Sequence, residues 1–368
     1  MGCISGLAEV TQPLGRRALL VCGAKALRRA GILDRALDVL RGAGIETVLF
    51  DAVPGEPTLD VVQAAIDLAR QESAEVVIGM GGGSAMDVGK ATAALCNKLG
   101  TVHEYHRGRS VGEPGLPFVS VPTTAGTGSE VTNNAVLTDP ERSVKKSIRG
   151  SQLFAVAALV DPELTLSLPP AVTASSGADA LCQAIESFVA QGAQPATDAL
   201  AGQAILRIGR SLVRAWKQGS DITARADMLY GSLFDGMSMT NTRLGGAHGL
   251  AHPLGLCYHI PHGIVCGLLL PYVMDYSLDH APHKYAAVAR LLGINTAHMS
   301  AAQAAREALT AVRVILDTIG VPSHLRVFGV KEEDFQTIVR ESLPSANVRN
   351  NARPLGAHDL QTILELAY

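Results

Sequence analysis

EVVIGMGGGSAMDVGKATAAL, residues 75–95, decides the fold. Residues 75–80 are β-prone and apolar from Val76 onward, and they run straight into Gly81, Gly82, Gly83 and Ser84, after which a helical pattern continues to about Leu95. A short apolar run bounded by glycines reads as a buried strand, and a buried strand leading at once into a helix is half of a β–α–β unit. The glycine loop stands where the helix begins. Free N–H groups and the helix dipole there favour a phosphate, and missing side chains let a pyrophosphate approach the backbone. The same glycines also suit a plain strand-to-helix turn.

The alternation extends in both directions from this stretch. Residues 17–22 (RALLVC) read as a strand, 33–42 as a helix and 46–50 (ETVLF) as the next strand. A turn at 54–57 (PGEP) leads to Thr58, the expected N-cap of a helix reaching about Gln71. Downstream, 117–121 (PFVSV) and 155–160 (AVAALV) read as further strands. Strands separated by helices imply right-handed crossovers and a parallel sheet. After Asp161 and Pro162 the strand-like runs stop, and helical periodicity continues from Pro170 to Leu366. Single cores stop growing at roughly 250–300 residues, so a chain of 368 is expected to hold two domains. The expectation is an α/β Rossmann-like domain over residues 1–161 and an all-α domain over 162–368.

Composition narrows the function classes. A net charge of −3 gives no electrostatic case for nucleic acid or for a membrane surface. The longest apolar run, 264–274, is shorter than the ~20 residues of a membrane helix and contains Pro271. No signal pattern opens the chain, and position 6, where an acylation start needs Ser or Thr, is Gly6. Six cysteines, at 3, 22, 96, 182, 257 and 266, form no C-x-x-C pair and read as thiols of a reducing, cytoplasmic compartment.

A second glycine loop, TTAGTGSE at 123–130, also follows a strand. Open α/β sheets bind ligands at the carboxyl ends of their strands, where both loops are expected. Asp51 ends the ETVLFD strand. A carboxylate there accepts the ribose hydroxyls and repels a 2′-phosphate, favouring NAD over NADP; a turn aspartate before Pro54 is the competing reading.

GAHGLAHPLGLCYHIPHG, residues 246–263, holds four of the 11 histidines, at 248, 252, 259 and 262. His248 and His252 share a helix face. Pro253 and Gly255 are expected to end that helix, and Pro261 to open another with His262 in its first turn. Clustered imidazoles suit a divalent metal, although any one of them serves equally well by bonding a core carbonyl. Asp179 lies among Ala178, Ala180, Leu181, Ala184 and Ile185, four residues before Gln183. A buried carboxylate needs a partner, and a cation is one.

Five ordered motifs, GGGSAMDVGK, PTTAGTGSE, GADALCQAIES, GGAHGLAHPLG and IPHGIVCGLLLP, resemble those of the iron-dependent (group III) alcohol dehydrogenase family across nearly the whole chain. The resemblance implies a Rossmann-like dinucleotide domain, an all-helical domain, and an active site in a cleft between them. It implies NAD and a divalent metal, iron or zinc, as cofactors, a small alcohol or aldehyde as substrate, and a homodimer. The family's metal ligands fall on Asp179, Gln183, His248 and His262. Its histidine beside the nicotinamide falls on His252, a candidate proton relay because imidazole titrates near neutrality. Its dinucleotide contacts fall on Gly81, Gly82, Gly83, Ser84, Asp87, Thr123, Thr124 and Lys145, while His259 matches no ligand position and is assigned to structure. Two departures stand out. Gln183 replaces a histidine, a weaker and harder donor, and residues 1–14 leave little room for the family's N-terminal strand, so a truncated start is expected.

Other readings remain open. A metal-independent reductase of the maleylacetate reductase type uses the same scaffold, with Gln183 marking a lost site. A lyase of the 3-dehydroquinate synthase type needs several basic residues around an acidic phosphorylated substrate, yet residues 241–274 contain only Arg243. A non-catalytic nucleotide-binding protein would keep the cofactor loops without a working metal site.

Overall fold

The computed structural model describes residues 1–142 and 144–368. In chain order the first part contains β1 (Arg17–Gly23), α1 (Ile32–Gly42), β2 (Glu46–Val53), α2 (Leu59–Gln71), β3 (Val76–Gly81), α3 (Gly83–Leu95) and β4 (Phe118–Pro122). These are followed by β5 (Asn134–Asp139), β6 (Val144–Arg149) and β7 (Ala157–Ala158). The main sheet has the order β2-β1-β3-β4-β7 and every pairing in it is parallel. Alternate strand residues point to opposite faces. Thus Leu19, Val21 and Val77 join one core with α2 and α3, while Ala18, Leu20, Cys22, Val76 and Ile78 join a second core with α1. A strand buried on both faces must be apolar at every position, which is why RALLVC and EVVIGM read as continuous runs.

The chain reverses direction of winding between β1 and β3, and the carboxyl ends of strands at such a switch point are where open α/β sheets bind ligands. Gly81 ends β3 there with φ +148°, backbone that side-chain-bearing residues avoid.

The second part is helical: α4 (Pro170–Val189), α5 (Pro195–Lys217), α6 (Ile222–Thr242), α7 (Gly246–Tyr258), α8 (His262–Ser277), α9 (Pro282–Leu291), α10 (Ala301–Thr318), α11 (Phe335–Ser342) and α12 (Ala357–Ala367), with short turns between. Two compact units result. One comprises Met1–Thr124 with Gly128–Ser167, the other Ala125–Thr127 with Leu168–Tyr368. No helix among the described residues is long and apolar enough to cross a membrane.

Four local expectations need correction. Pro253 does not end its helix: α7 continues through it to Tyr258. One lost N–H costs a single i→i−4 bond, and the burial of Leu250, Ala251, Pro253 and Leu254 outweighs that loss. Strand β2 does not stop at Phe50 but runs on to Val53, so Asp51 lies inside it. Thr58 holds the N-cap position of α2 but makes no side-chain cap bond. The antiparallel pair β5–β6 was not anticipated, because NAVLTD is only half-buried and ends in turn-forming residues.

Candidate active site

Helix α4 carries three polar side chains on one buried face. Asp179 and Gln183 are four residues apart, Glu186 follows three later, and all three are buried among Ala178, Leu181 and Ile185. Gln183 Nε2 donates to Asp179 Oδ2 at 3.1 Å. Glu186 lies against the start of α7, where it accepts from the Gly245 and Ala247 amides at 2.9 and 2.7 Å. A carboxylate at a helix N-terminus satisfies free N–H groups and complements the dipole. The same carboxylate is 2.7 Å from His248 Nδ1.

That contact leaves His248 Nε2 on the other edge of the ring, 3.3 Å from Asp179 Oδ1. His262, the first residue of α8, brings its Nε2 to 3.8 Å from the same oxygen. Close packing of α8 on α4 makes this possible: a Cβ on Gly263 would stand 2.0 Å from the Ser175 carbonyl oxygen, so only glycine fits. Asp179 Oδ1, His248 Nε2 and Gln183 Oε1 are buried and have no hydrogen-bond partner. Buried polar atoms are normally paired, so three orphans at one point define a place for an absent partner. Oxygen and imidazole donors suit a divalent cation. His252, one turn after His248 on α7, has its ring centroid 5.5 Å from that of His262.

Two cysteines complete the surroundings, and neither was singled out from the sequence. Cys266, one turn after His262, places Sγ 3.6 Å from His262 Nε2, while Cys182 Sγ is 3.7 Å from His248 Nδ1. Burial pushes the Cys182 thiol up, and its hydrogen bond to Cys266 adds to that. Burial acts the same way on Cys266, but the Cys182 hydrogen bond and the imidazoles of His248 and His262 outweigh it and hold Cys266 well below the usual thiol range. Burial pulls His248 down, yet Cys266, Asp179 and Glu186 together hold it well above the ordinary imidazole value. Glu186 was also missed. Its signal was present, since it stands seven residues after Asp179 on an otherwise apolar helix face.

The expected cofactor residues lie in the first unit. Gly82 caps α3 in an extended conformation, and Gly83 is its first residue. Ser84 Oγ donates to the Gly55 carbonyl at 2.5 Å, and Lys145, on β6, pairs with Glu56. Both bonds fasten the 54–57 turn beside the glycine loop. Thr123 N donates to the Gly81 carbonyl at 2.8 Å, and Thr124 packs against Gly82. Asp51 is half-exposed and lies 3.3 Å from Arg28.

Asp87 faces inward. It accepts from Ser129 Oγ at 2.7 Å and from the Val136 amide at 2.9 Å, and Lys90 Nζ is 3.4 Å away. Lys90 is fully buried and donates to the Ser129 carbonyl and to Thr132 Oγ1, both at 2.9 Å. Burial raises the neighbouring Glu130 carboxyl to about 7. This buried network holds the GTGSE loop from below.

Comparison with known proteins agrees with this architecture. The Iron-containing alcohol dehydrogenase family matches residues 1–162, and the Fe-containing alcohol dehydrogenase family, C-terminal, matches residues 173–368. The chain is 38% identical to the 1,3-propanediol dehydrogenase of Klebsiella pneumoniae, over 99% of this chain and 95% of that one. It is 32% identical to the lactaldehyde reductase of Escherichia coli (strain K12), over 100% of this chain and 96% of that one. The crystal structure of a 1,3-propanediol oxidoreductase superposes with a TM-score of 0.96 at 39% identity, covering 100% of this chain and 96% of the other. The chain belongs to the iron-containing alcohol dehydrogenase family. Its activity is that of an NAD-dependent oxidoreductase acting on CH–OH groups, an alcohol dehydrogenase or aldehyde reductase, and the family implies NAD(H) with a divalent metal.

Proposed function

We propose that the protein interconverts a small alcohol and its aldehyde or ketone with NAD(H), using a divalent cation, iron or zinc, held by Asp179, His248 and His262 with Gln183 beside them. The observation that carries this reading is that Asp179 Oδ1 and His248 Nε2, buried and 3.3 Å apart, have no hydrogen-bond partner, with His262 Nε2 3.8 Å from the former. A cation held there would supply polarisation of the substrate oxygen, and NAD(H) would supply the hydride acceptor or donor.

The chain's own residues supply positioning and proton transfer. Glu186 fixes the His248 ring so that Nε2 is the edge offered to the site. Gln183 holds one oxygen of Asp179 and leaves the other free to ligate. His252 is assigned the proton relay to the substrate oxygen. In the first unit, Gly81, Gly82, Gly83 and Ser84 are assigned to the pyrophosphate at the N-terminus of α3, Thr123, Thr124 and Lys145 to further dinucleotide contacts, and Asp51 to the adenosine ribose. Asp87, with both oxygens already engaged, acts by holding the GTGSE loop rather than by touching the cofactor.

Relatives named for 1,3-propanediol, long-chain alcohols and lactaldehyde support an alcohol or aldehyde substrate. A cytoplasmic homodimer completes the proposal; all six cysteines are free thiols, which suits a reducing compartment. Metal analysis and turnover with NADH and small aldehydes, with and without chelator, test the reading. His262→Ala is expected to lose the metal and the rate while NAD still binds. Full activity without bound metal would reject the metal site and leave the metal-independent reductase standing.

A further inference from the structure

Gln183 is a poor fourth ligand, and the structure holds a better one. Cys266 lies one helical turn after His262 on α8 and is buried. Donor atoms of Asp179, His248, His262 and Cys266 all lie within 4.8 Å of one another. Three of the separations are 3.3 Å for His248 Nε2 to Asp179 Oδ1, 3.8 Å for His262 Nε2 to the same oxygen, and 3.6 Å for Cys266 Sγ to His262 Nε2. A tetrahedron of donors at zinc bond lengths of roughly 2.0–2.3 Å has edges of about 3.3–3.7 Å. These three separations are close to such edges, and the remaining three lie within 4.8 Å, so the four donors cluster about one point.

We propose that Cys266 is a metal ligand of this protein, taking as a thiolate the place that Gln183 cannot fill, and that the resulting Asp-His-His-Cys set favours zinc over iron. This inference rests on the metal reading above. Three features support it. The amide nitrogen of Gln183 is already engaged by Asp179 Oδ2, so the residue orients the carboxylate, and its remaining oxygen is a neutral, weak donor. A thiolate and a carboxylate with two neutral imidazoles balance a dication, whereas one carboxylate with an amide leaves a net positive charge in a buried site. Soft thiolate also selects zinc, which lies above iron(II) in affinity for such donors. The second cysteine does not compete. Cys182 Sγ faces His248 Nδ1, the edge already held by Glu186. Four protein donors still allow the shell to expand to a fifth position for substrate, as catalytic zinc sites do.

The test is cobalt substitution of the full-length protein, cleared of metal with chelator and reloaded with cobalt(II) alone. The expected result is a thiolate-to-cobalt charge-transfer band in the near ultraviolet. Cys266→Ser is expected to abolish it, with zinc bound on the order of 100-fold less tightly in a chelator competition. Cys257→Ser, at an exposed position, should keep it. X-ray absorption of the unmodified zinc-loaded protein, which does not depend on any variant folding, should show one sulfur at about 2.3 Å. Cobalt bound with no sulfur neighbour, or a band that survives in Cys266→Ser, overturns the role of Cys266 while leaving the metal site intact. A protein that takes up no cobalt overturns the metal reading and this inference with it.

Discussion

Glu186 Oε2 lies 2.7 Å from His248 Nδ1, and both residues are almost completely buried. The contact selects the tautomer with the proton on Nδ1 and turns the basic Nε2 toward Asp179. Replacing such a carboxylate commonly costs a metal site about 10–100-fold in affinity. Glu186→Gln is expected to weaken metal binding by that factor in a chelator titration while leaving NAD affinity unchanged. Equal metal affinity in the two forms would remove Glu186 from the site.

Gln183 gives a second comparison in the opposite direction. Its position four residues after Asp179 keeps it at the cluster, and imidazole there would add a basic nitrogen where an amide now stands. Gln183→His is expected to raise metal affinity by about 10–100-fold. Side-by-side chelator titration and metal analysis of the two forms read the effect, and equal affinities would contradict it.

Cofactor choice is the role proposed for Asp51. Its carboxylate repels a 2′-phosphate, and its partner Arg28, 3.3 Å away, is the residue type that receives one. Asp51→Gly removes the repulsion and releases Arg28, so NADP(H) use should rise by about 5–150-fold relative to NAD(H), equivalent to roughly 1–3 kcal/mol. Steady-state kcat/KM with both cofactors measures it; an unmodified protein indifferent to the 2′-phosphate would contradict the assignment.

Stability should carry a pH signature from Glu130, whose carboxyl is raised from 4.5 to about 7 by burial. Below about 4.5 the group is protonated in both folded and unfolded chains. Between 4.5 and about 7 the unfolded chain ionises first, so stability falls with rising pH, by about 3 kcal/mol in all at 1.36 kcal/mol per unit, and above 7 the loss is complete. Glu130→Gln lacks this component. Thermal midpoints at pH 5 and pH 8 should therefore fall further in the unmodified protein than in the variant. Parallel pH profiles would show that Glu130 ionises normally.

Much of this molecule was legible because its strands are buried on both faces. RALLVC, EVVIGM and PFVSV are short, mostly apolar runs with glycine or proline close by, so their type and order followed from pattern alone. The Pro253 boundary was misread because local propensity said stop while tertiary burial carried the helix on. Asp179, His248 and His262 emerged from residue chemistry and family resemblance together, and the structure brings them to one point. Glu186, Cys182 and Cys266 did not emerge. Each looks like ordinary helix filling until the rotation of α4, α7 and α8 about their axes is known, and one-dimensional spacing does not give relative rotation.

The donors of the cluster come from three helices, and α4 lies far in sequence from the adjacent pair α7 and α8. Whatever ion neutralises Asp179 therefore also staples distant stretches of polypeptide, withdrawing loop entropy from the unfolded chain. Metal supply then sets lifetime as well as rate. In a metal-starved cell the helical unit opens more often and meets proteases more often, so the enzyme's abundance should decline along with the occupancy of its site.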